Sequence, residues 1–545
     1  MPVILHRKGV AFVLASPGSR NALLINSFLR VFGWQCISIV DERSAAYVAL
    51  GIASFSKKAV VLLCTSGTAA LNYAPALAEA FHLGVPLIAI TADRPPEWID
   101  QQDNQTIHQE GLYNPNIKAS FSMPVEVVRE AELWHANRII NEAFNCATSG
   151  RPGPVHINVP LREPLYEEIP AAGDVHCIRQ NFSLAFNETG DSLKNVWRHA
   201  GRILLVAGQQ AYNEKLMQLL VNLSRDERIS IIGEPLSNVR IPGIIQRPEL
   251  LLARRDDNHD LDPDLLLYFG GPVVSNRLKQ FLRHCNLKNS WFIDTTARHV
   301  DTFRHLTDVI AAGPVQFFEW VLTAGRSVSS DYRLLWQEHD KQLQDAVQTM
   351  AESFEFSDLG IMHRISAVLP EKAVVFAGNS GIVRYIGFFP PRCREIYANR
   401  GTSGIDGCVS TAVGIALAAR ETVIALVGDQ SFVYDSNALW NRALPDNLKV
   451  VVVNNQGGGI FSMLDGPSVT PAFKSYLEAH HPAEIAELCA AFNVNHHKCN
   501  GYDDFDDSFK NIIRQKGPSV YEILTPREVN TVVFRNFVSQ LKKPQ

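Results

Sequence analysis

The strongest chemical signal in this sequence sits where two apolar runs end. Val423–Val427 stops at Gly428-Asp429-Gln430-Ser431, and Val450–Val453 stops at Asn454-Asn455-Gln456-Gly457-Gly458-Gly459. As adjacent parallel strands, these runs present a carboxylate and a side-chain amide side by side at one sheet edge, where open α/β sheets bind ligands. A hard divalent cation takes oxygen ligands, and Asp429, Asn455 and the carbonyl of Gly457 supply three kinds. Magnesium leaves room for phosphate oxygens, and the glycines let backbone N–H groups close on them. The pattern reads as a metal–diphosphate site. Asp and Asn serving only as helix caps beside a glycine turn is the simpler alternative, and the pairing of two strand ends disfavours it.

A second signal is Asp41-Glu42-Arg43, between an apolar run and a helical pattern. By itself such a pair only complements a helix dipole. The third is a set of arginines beside small, Gly- or Pro-bearing turns: Arg20 in Ser16-Pro17-Gly18-Ser19-Arg20, Arg94 before Pro95-Pro96, Arg277 after Ser275-Asn276, Arg384 after Gly378-Asn379-Ser380-Gly381, and Arg400 before Gly401. Guanidinium groups at such turns suit carboxylates or phosphates, and their number points to a polycarboxylate substrate. No GxxxxGK[ST] loop occurs, and no GxGxxG follows the first strand.

The elements that must position these groups alternate in type. Over residues 1–165, strand runs at Val10–Ala15, Ile37–Val40, Val60–Cys64, Leu87–Thr91 and Val155–Val159 are separated by helical periodicity at Ser44–Phe55, Ala69–Phe81 and Ala131–Thr148. A polar, irregular linker runs from Leu165 to Phe186. Residues 187–325 repeat the alternation, with strands at Ile203–Ala207, Ile229–Ile232, Leu265–Phe269 and Trp291–Asp294. A polar, helix-like connector spans Asp331–Phe354. Residues 358–545 add strands at Val374–Ala377, Glu395–Ala398, Val423–Val427, Val450–Val453 and Val520–Leu524, with a crossover helix expected over Tyr434–Ala443. The predicted fold class is α/β, with three doubly wound parallel-sheet domains.

Composition excludes several classes. The chain has 545 residues, 46% apolar and 20% charged, with a net charge of −5. That balance gives no electrostatic footprint for nucleic acid or an anionic membrane. Apolar runs are too short for a membrane span, and the amino terminus lacks a signal-peptide pattern, so a cytoplasmic protein is expected. Nine cysteines without any CxxC read as buried free thiols. His480-His481 and His496-His497 lack zinc-site spacing.

These segments together resemble a known family. Gly428-Asp429 with Asn454-Asn455 looks like the thiamine diphosphate signature. SPGSR at 16–20, DERSA at 41–45, TSGTA at 65–69, TADRPPE at 91–97, NQTIHQ at 104–109, GNS at 378–380, NRGTSGIDG at 399–407 and NNQGGGIFS at 454–462 are similar to the 2-succinyl-5-enolpyruvyl-6-hydroxy-3-cyclohexene-1-carboxylate synthases of menaquinone (vitamin K2) biosynthesis. The resemblance implies a transferase that decarboxylates 2-oxoglutarate and adds the resulting carbanion to isochorismate. It implies an N-terminal pyrimidine-binding domain, a middle Rossmann-like domain without flavin, and a C-terminal diphosphate/metal-binding domain. Glu42 would be the catalytic carboxylate that activates the cofactor. Ser380, Gly404, Ile405, Gly428, Asp429, Ser431, Asn455 and Ile460 would bind thiamine diphosphate, with Ile405 the apolar wedge beneath it. Mg2+ or Mn2+ would sit on Asp429, Asn455 and Gly457. Ser19, Arg20, Arg94, Asn104, Gln105, Arg277, Arg384, Arg400, Phe461 and Leu464 would meet the substrates. A homodimer or homotetramer with the active site between subunits is also implied. The chain departs from the family at Gln430, in place of a usual glycine, at Asn276-Arg277, in place of a Lys-Arg pair, and at its start, where the usual helix before the first strand is not expected. The alternatives are another thiamine diphosphate-dependent 2-oxoacid decarboxylase, an acetolactate synthase-like enzyme, or a cofactor-binding subunit without catalysis.

Overall fold

The computed structural model describes residues 1–542, apart from 32, 167–174, 181–190, 255–258, 443, 460–465 and 467–468. The apolar runs become strands of three sheets, and every paired strand is parallel. The first sheet contains β1 (Phe12–Ala15), β2 (Gln35–Ser38), β3 (Val60–Cys64), β4 (Leu87–Asp93), β5 (Ala119–Ser122) and β6 (Val155–Pro160), in the order β2-β1-β3-β4-β6-β5. The second contains β7 (Ile203–Ala207), β8 (Ile229–Gly233), β9 (Leu265–Phe269), β10 (Asn289–Ile293) and β11 (Asp308–Ile310), in the order β11-β10-β9-β7-β8. The third contains β12 (Val374–Ala377), β13 (Glu395–Tyr397), β14 (Val423–Gly428), β15 (Leu448–Asn454), β16 (Asn495–Cys499) and β17 (Ser519–Leu524), in the order β13-β12-β14-β15-β17-β16. The first and third sheets thus share one topology, and strand order reverses between β1 and β3 and again between β12 and β14. Those reversals open the crevices where such sheets take ligands.

Side-chain alternation along each strand feeds two cores. On β3, Val61 and Leu63 enter one cluster while Leu62 and Cys64 enter another. The latter also takes Val374, Phe376, Ala425 and Val427 from the third sheet, so the first and third sheets share a core. Their junction is the helix Glu42–Ser56 packed on the helix Cys408–Ala418. The connector after residue 331 is a helix over Tyr332–Ala351, and its buried Trp336 and Leu343 join the second and third sheets in one cluster.

Several expectations are corrected. The helix read over Ala69–Phe81 is two, Thr68–Leu71 and Ala74–Leu83, because Pro75 has no N–H to continue the first and instead starts the second. The crossover helix starts earlier than Tyr434: it runs over Asp429–Tyr434 and is followed by a 3-10 turn at Ser436–Trp440. Buried Asp435 ends it by accepting the backbone N–H and hydroxyl of Ser410, at 2.7 and 2.9 Å. A six-residue helix, Pro2–Arg7, precedes β1. Cys36 is exposed, and Cys146 and Cys177 are half-buried; the other six cysteines are buried. The linker read over Leu165–Phe186 lies largely outside the described residues. Among the described residues, no helix is long and apolar enough to cross a membrane.

Candidate active site

At the β12/β14 reversal a cleft is lined by residues between Asp358 and Gly459, among them Asn379, Ser380, Ile405, Gly428, Asp429, Ser431, Asn455 and Gly457. Adjacent strands put the first two groups in register: Gly428 pairs with Val453, so Asp429 and the Asn454-Asn455 turn leave the sheet together. Asp429 is buried, and its Oδ2 accepts the Gly457 N–H at 2.7 Å and faces His481 Nε2 at 3.1 Å. That carboxylate is the main reason the His481 imidazole is held above its ordinary range. Asn455 donates Nδ2 to Asp358 Oδ2 at 2.7 Å, and its Oδ1 is buried without a hydrogen-bond partner. A buried, unsatisfied amide oxygen beside a carboxylate fits a divalent cation, which would supply the missing contact. Burial pushes the Asp358 carboxyl up to about 6.

The wall opposite is the loop 399–407. Ser431 Oγ donates to the Ile405 carbonyl at 2.8 Å, and Ile405 lines the cleft. Asn379 ties the loop by donating to the carbonyls of Asn399 and Gly404, at 2.7 and 2.6 Å. Tyr47 OH donates to Asp406 Oδ2 at 2.6 Å, and the Tyr47 ring presses on Gly407. With φ at +67° and the ring 2.1 Å from where a Cβ would stand, only glycine fits there. Ser380 holds a positive φ of 71°, a strained conformation for a non-glycine residue at the mouth of the cleft. Gln430, in place of the usual glycine, fastens the lining instead: its amide donates to the carbonyls of Glu478 and Ala479.

The arginines divide into two groups. Arg400 donates Nη1 to Asn379 Oδ1 at 3.0 Å, while its Nε is buried and unpaired. Burial first, then the neighbouring Arg384 cation, push the Arg400 guanidinium down from its usual range. Arg384 donates to the Ser380 carbonyl at 2.7 Å. Glu249 sits 3.8 Å from Arg277 and within electrostatic range of Arg384, which brings the middle unit to this cluster. By contrast, Arg20 and Arg94 are held by their own unit. Arg20 donates to the Leu161 carbonyl at 2.7 Å and lies 3.5 Å from Glu163; Arg94 pairs with Asp103 at 3.0 Å and donates to the Asn104 carbonyl. Ser19, Asn104 and Gln105 are exposed beside them.

Glu42 also belongs to the first-sheet edge. Asp41 caps its helix through the Ser44 N–H at 3.1 Å and accepts from Asn437, and Arg43 stacks over Tyr434 at 4.8 Å. Between these two anchors Glu42 bonds to its own backbone, and burial, the larger cause, with Asp41 raises its pKa. The structure therefore brings Asn379, Ser380, Arg384, Arg400, Gly404, Ile405, Gly428, Asp429, Ser431, Asn455 and Gly457 together. It places Glu42, Ser19, Arg20, Arg94, Asn104 and Gln105 on another edge. Ile460, Phe461 and Leu464 lie outside the described residues.

Three residues at the site carry no readable signal in the sequence. Asp358 looks like an ordinary acid in a first helical turn. His481 looks in the sequence like half of a His pair without zinc-site spacing; the other pair places His496 on Glu522 at 2.9 Å. Glu79 lies mid-helix, fully buried, and accepts the N–H groups of Gly401 and Thr402 and the Thr402 hydroxyl at 2.6–2.7 Å.

Comparison with known proteins agrees with this geometry. Residues 3–112 match the family described as "Thiamine pyrophosphate enzyme, N-terminal TPP binding domain", 181–377 "Middle domain of thiamine pyrophosphate", and 377–523 "Thiamine pyrophosphate enzyme, C-terminal TPP binding domain". A 2-succinyl-5-enolpyruvyl-6-hydroxy-3-cyclohexene-1-carboxylate synthase of Desulfotalea psychrophila is 40% identical over 94% of this chain and 95% of its own. Similarly named proteins of Cytophaga hutchinsonii and Flavobacterium johnsoniae are 36% and 34% identical, covering 100% and 99% of this chain and 98% and 97% of theirs.

Proposed function

The chain belongs to the 2-succinyl-5-enolpyruvyl-6-hydroxy-3-cyclohexene-1-carboxylate synthase family of thiamine diphosphate-dependent transferases in menaquinone biosynthesis, and from that premise we propose that it joins 2-oxoglutarate, with loss of CO2, to isochorismate in a Mg2+- or Mn2+-dependent reaction. The observation that carries this reading is one cleft holding the unsatisfied Asn455 oxygen, Asp429 and, through Asn379, the half-buried Arg400, whose Nε is buried and unpaired. When bound, thiamine diphosphate supplies the nucleophilic carbon and electron sink that decarboxylation of a 2-oxoacid requires.

Asp429, Asn455 and the Gly457 carbonyl would hold the cation on the diphosphate. Ser380, Gly404, Gly428, Ser431 and Ile460 would line the cofactor, with Ile405 packed beneath it. Arg400, Arg384 and Arg277 would bind substrate carboxylates. Arg400 is the best prepared, because its buried Nε has no competing acceptor within the protein. Phe461 and Leu464 would add an apolar wall.

Glu42 would exchange a proton with the pyrimidine ring, and its raised pKa brings the carboxyl closer to that task. The described cleft lining comes entirely from 358–459, while Glu42, Arg20, Arg94, Ser19, Asn104 and Gln105 stand on the first-sheet edge. This separation supports a site completed by the first-sheet edge of a second copy, in a homodimer or homotetramer. In this reading 1–165 is the pyrimidine-binding unit, 358–545 the diphosphate/metal unit, and 187–325 the unit that delivers Arg277. The cytoplasm is the compartment we propose.

The test follows isochorismate absorbance with purified protein, thiamine diphosphate, Mg2+ and 2-oxoglutarate, omitting each in turn. Consumption that needs every component is the expected result. Release of CO2 from the 2-oxoacid with isochorismate untouched would overturn the acceptor. No reaction and no cofactor binding would overturn the whole reading.

A further inference from the structure

The Asn455 amide has two orientations of almost identical shape, and only one offers oxygen to the cleft. Three side chains from distant segments select it. The Asp358 backbone N–H donates to Asn530 Oδ1 at 2.7 Å, which turns the Asn530 Nδ2 toward Asp358 Oδ1 at 3.1 Å. Thr525 Oγ1 donates to the same Oδ1 at 2.5 Å. Asp358 is thus surrounded by donors and acts only as an acceptor. The atom of Asn455 that meets its Oδ2 at 2.7 Å must then be the Nδ2, which leaves Oδ1 facing the cleft without a partner. Flipping the amide would place two oxygens in repulsive contact and turn an N–H2 group toward the cation.

We propose that Asp358 is a positioning residue that locks the Asn455 amide with its oxygen toward the divalent cation, with Thr525 and Asn530 holding Asp358 in place. The proposal rests on the metal–diphosphate reading above. Asp358 lines the cleft, but its carboxylate oxygens are taken by Asn455, Thr525 and Asn530, so it acts through Asn455. Partners that orient a metal ligand in this way typically contribute ten- to hundredfold in metal affinity.

The test uses full-length protein stripped with a chelator and then titrated with Mn2+ in the presence of thiamine diphosphate. Free Mn2+ is read by its paramagnetic resonance signal, so turnover is not needed. Asp358→Asn should weaken Mn2+ binding about ten- to hundredfold. The double variant Asp358→Asn/Asn455→Asp should recover binding to within a few-fold, because a carboxylate at 455 offers oxygen either way round and can accept from the new amide. A purely structural role for Asp358 would lower the melting temperature of the metal-free protein without such rescue. Binding by Asp358→Asn within threefold of wild type, or a double variant no better than the single, would overturn the proposal. If Asp358→Asn is not recovered folded, the double variant decides: near-wild-type binding upholds the proposal and lost binding overturns it. Failure of the wild-type protein to bind Mn2+ with thiamine diphosphate would instead refute the metal reading itself.

Discussion

Glu79→Gln tests how the first unit holds the loop that carries Arg400 and Ile405. Three donors converge on the buried Glu79 carboxylate: the N–H of Gly401 at 2.7 Å, and the N–H and hydroxyl of Thr402, both at 2.6 Å. A glutamine keeps one oxygen and turns an N–H2 group toward donors it cannot accept from. One buried backbone N–H loses its acceptor, and the new amide donor finds none in its place. Each such loss costs about 1–3 kcal/mol, and from the lower to the middle part of that range the two together cost the loop about 2–4 kcal/mol of local stability. Because the protein has several units, global unfolding is a poor meter. Hydrogen exchange of a peptide spanning 399–407 reads the loop directly, and 2–4 kcal/mol corresponds to roughly 30- to 700-fold faster exchange. The same variant should raise KM for a carboxylate substrate, since Arg400 rides on this loop, and Arg400→Ala should do so more strongly. Exchange in Glu79→Gln within threefold of wild type would refute the claim that this carboxylate holds the loop.

Glu42→Gln should lower turnover by roughly 10²- to 10⁴-fold while leaving metal-dependent cofactor binding nearly unchanged, as read by fluorescence titration; near-normal turnover would sink the role of Glu42. Gly51→Ala places a Cβ 2.0 Å from the Thr411 carbonyl oxygen, where two helix backbones touch, and should destabilise by about 1–3 kcal/mol or more. An unchanged melting temperature would show that this contact can relax freely. His156 is buried, which pushes its pKa from 6.5 down to about 3. Between those values the unfolded chain takes up a proton that the folded chain refuses, so acid lowers stability by up to ~1.4 kcal/mol per pH unit. His156→Gln should flatten the fall in melting temperature between pH 6 and pH 4, and an unaltered slope would contradict the assignment.

The central strands were legible because burial on both faces writes an uninterrupted apolar run: Val60–Cys64 and Val423–Val427 are strands at those positions or within one residue of them. The edge strands β5, β11 and β16 were not, since one open side admits sequences such as Asn495-His496-His497-Lys498-Cys499, which resemble loops. The strand-end positions of Asp429 and Asn455 were equally readable, because the next residue after a buried strand must emerge at the sheet edge.

The sequence by itself determined three α/β units, the placing of Asp429 and Asn455 at adjacent strand ends and the family, all of which depend on residue type and on spacing within one or two elements. Only the tertiary structure decided which polar groups are free. Asp358 reaches Asn455 across 97 residues and Glu79 reaches Gly401 across 322. It also separated Arg20 and Arg94, already engaged by Asp103 and Glu163, from Arg400 with its unpaired Nε. Hydrophobic periodicity is a local pattern, whereas a hydrogen-bond partner is chosen by whatever the folded chain brings within 3 Å, and no local spacing encodes that choice.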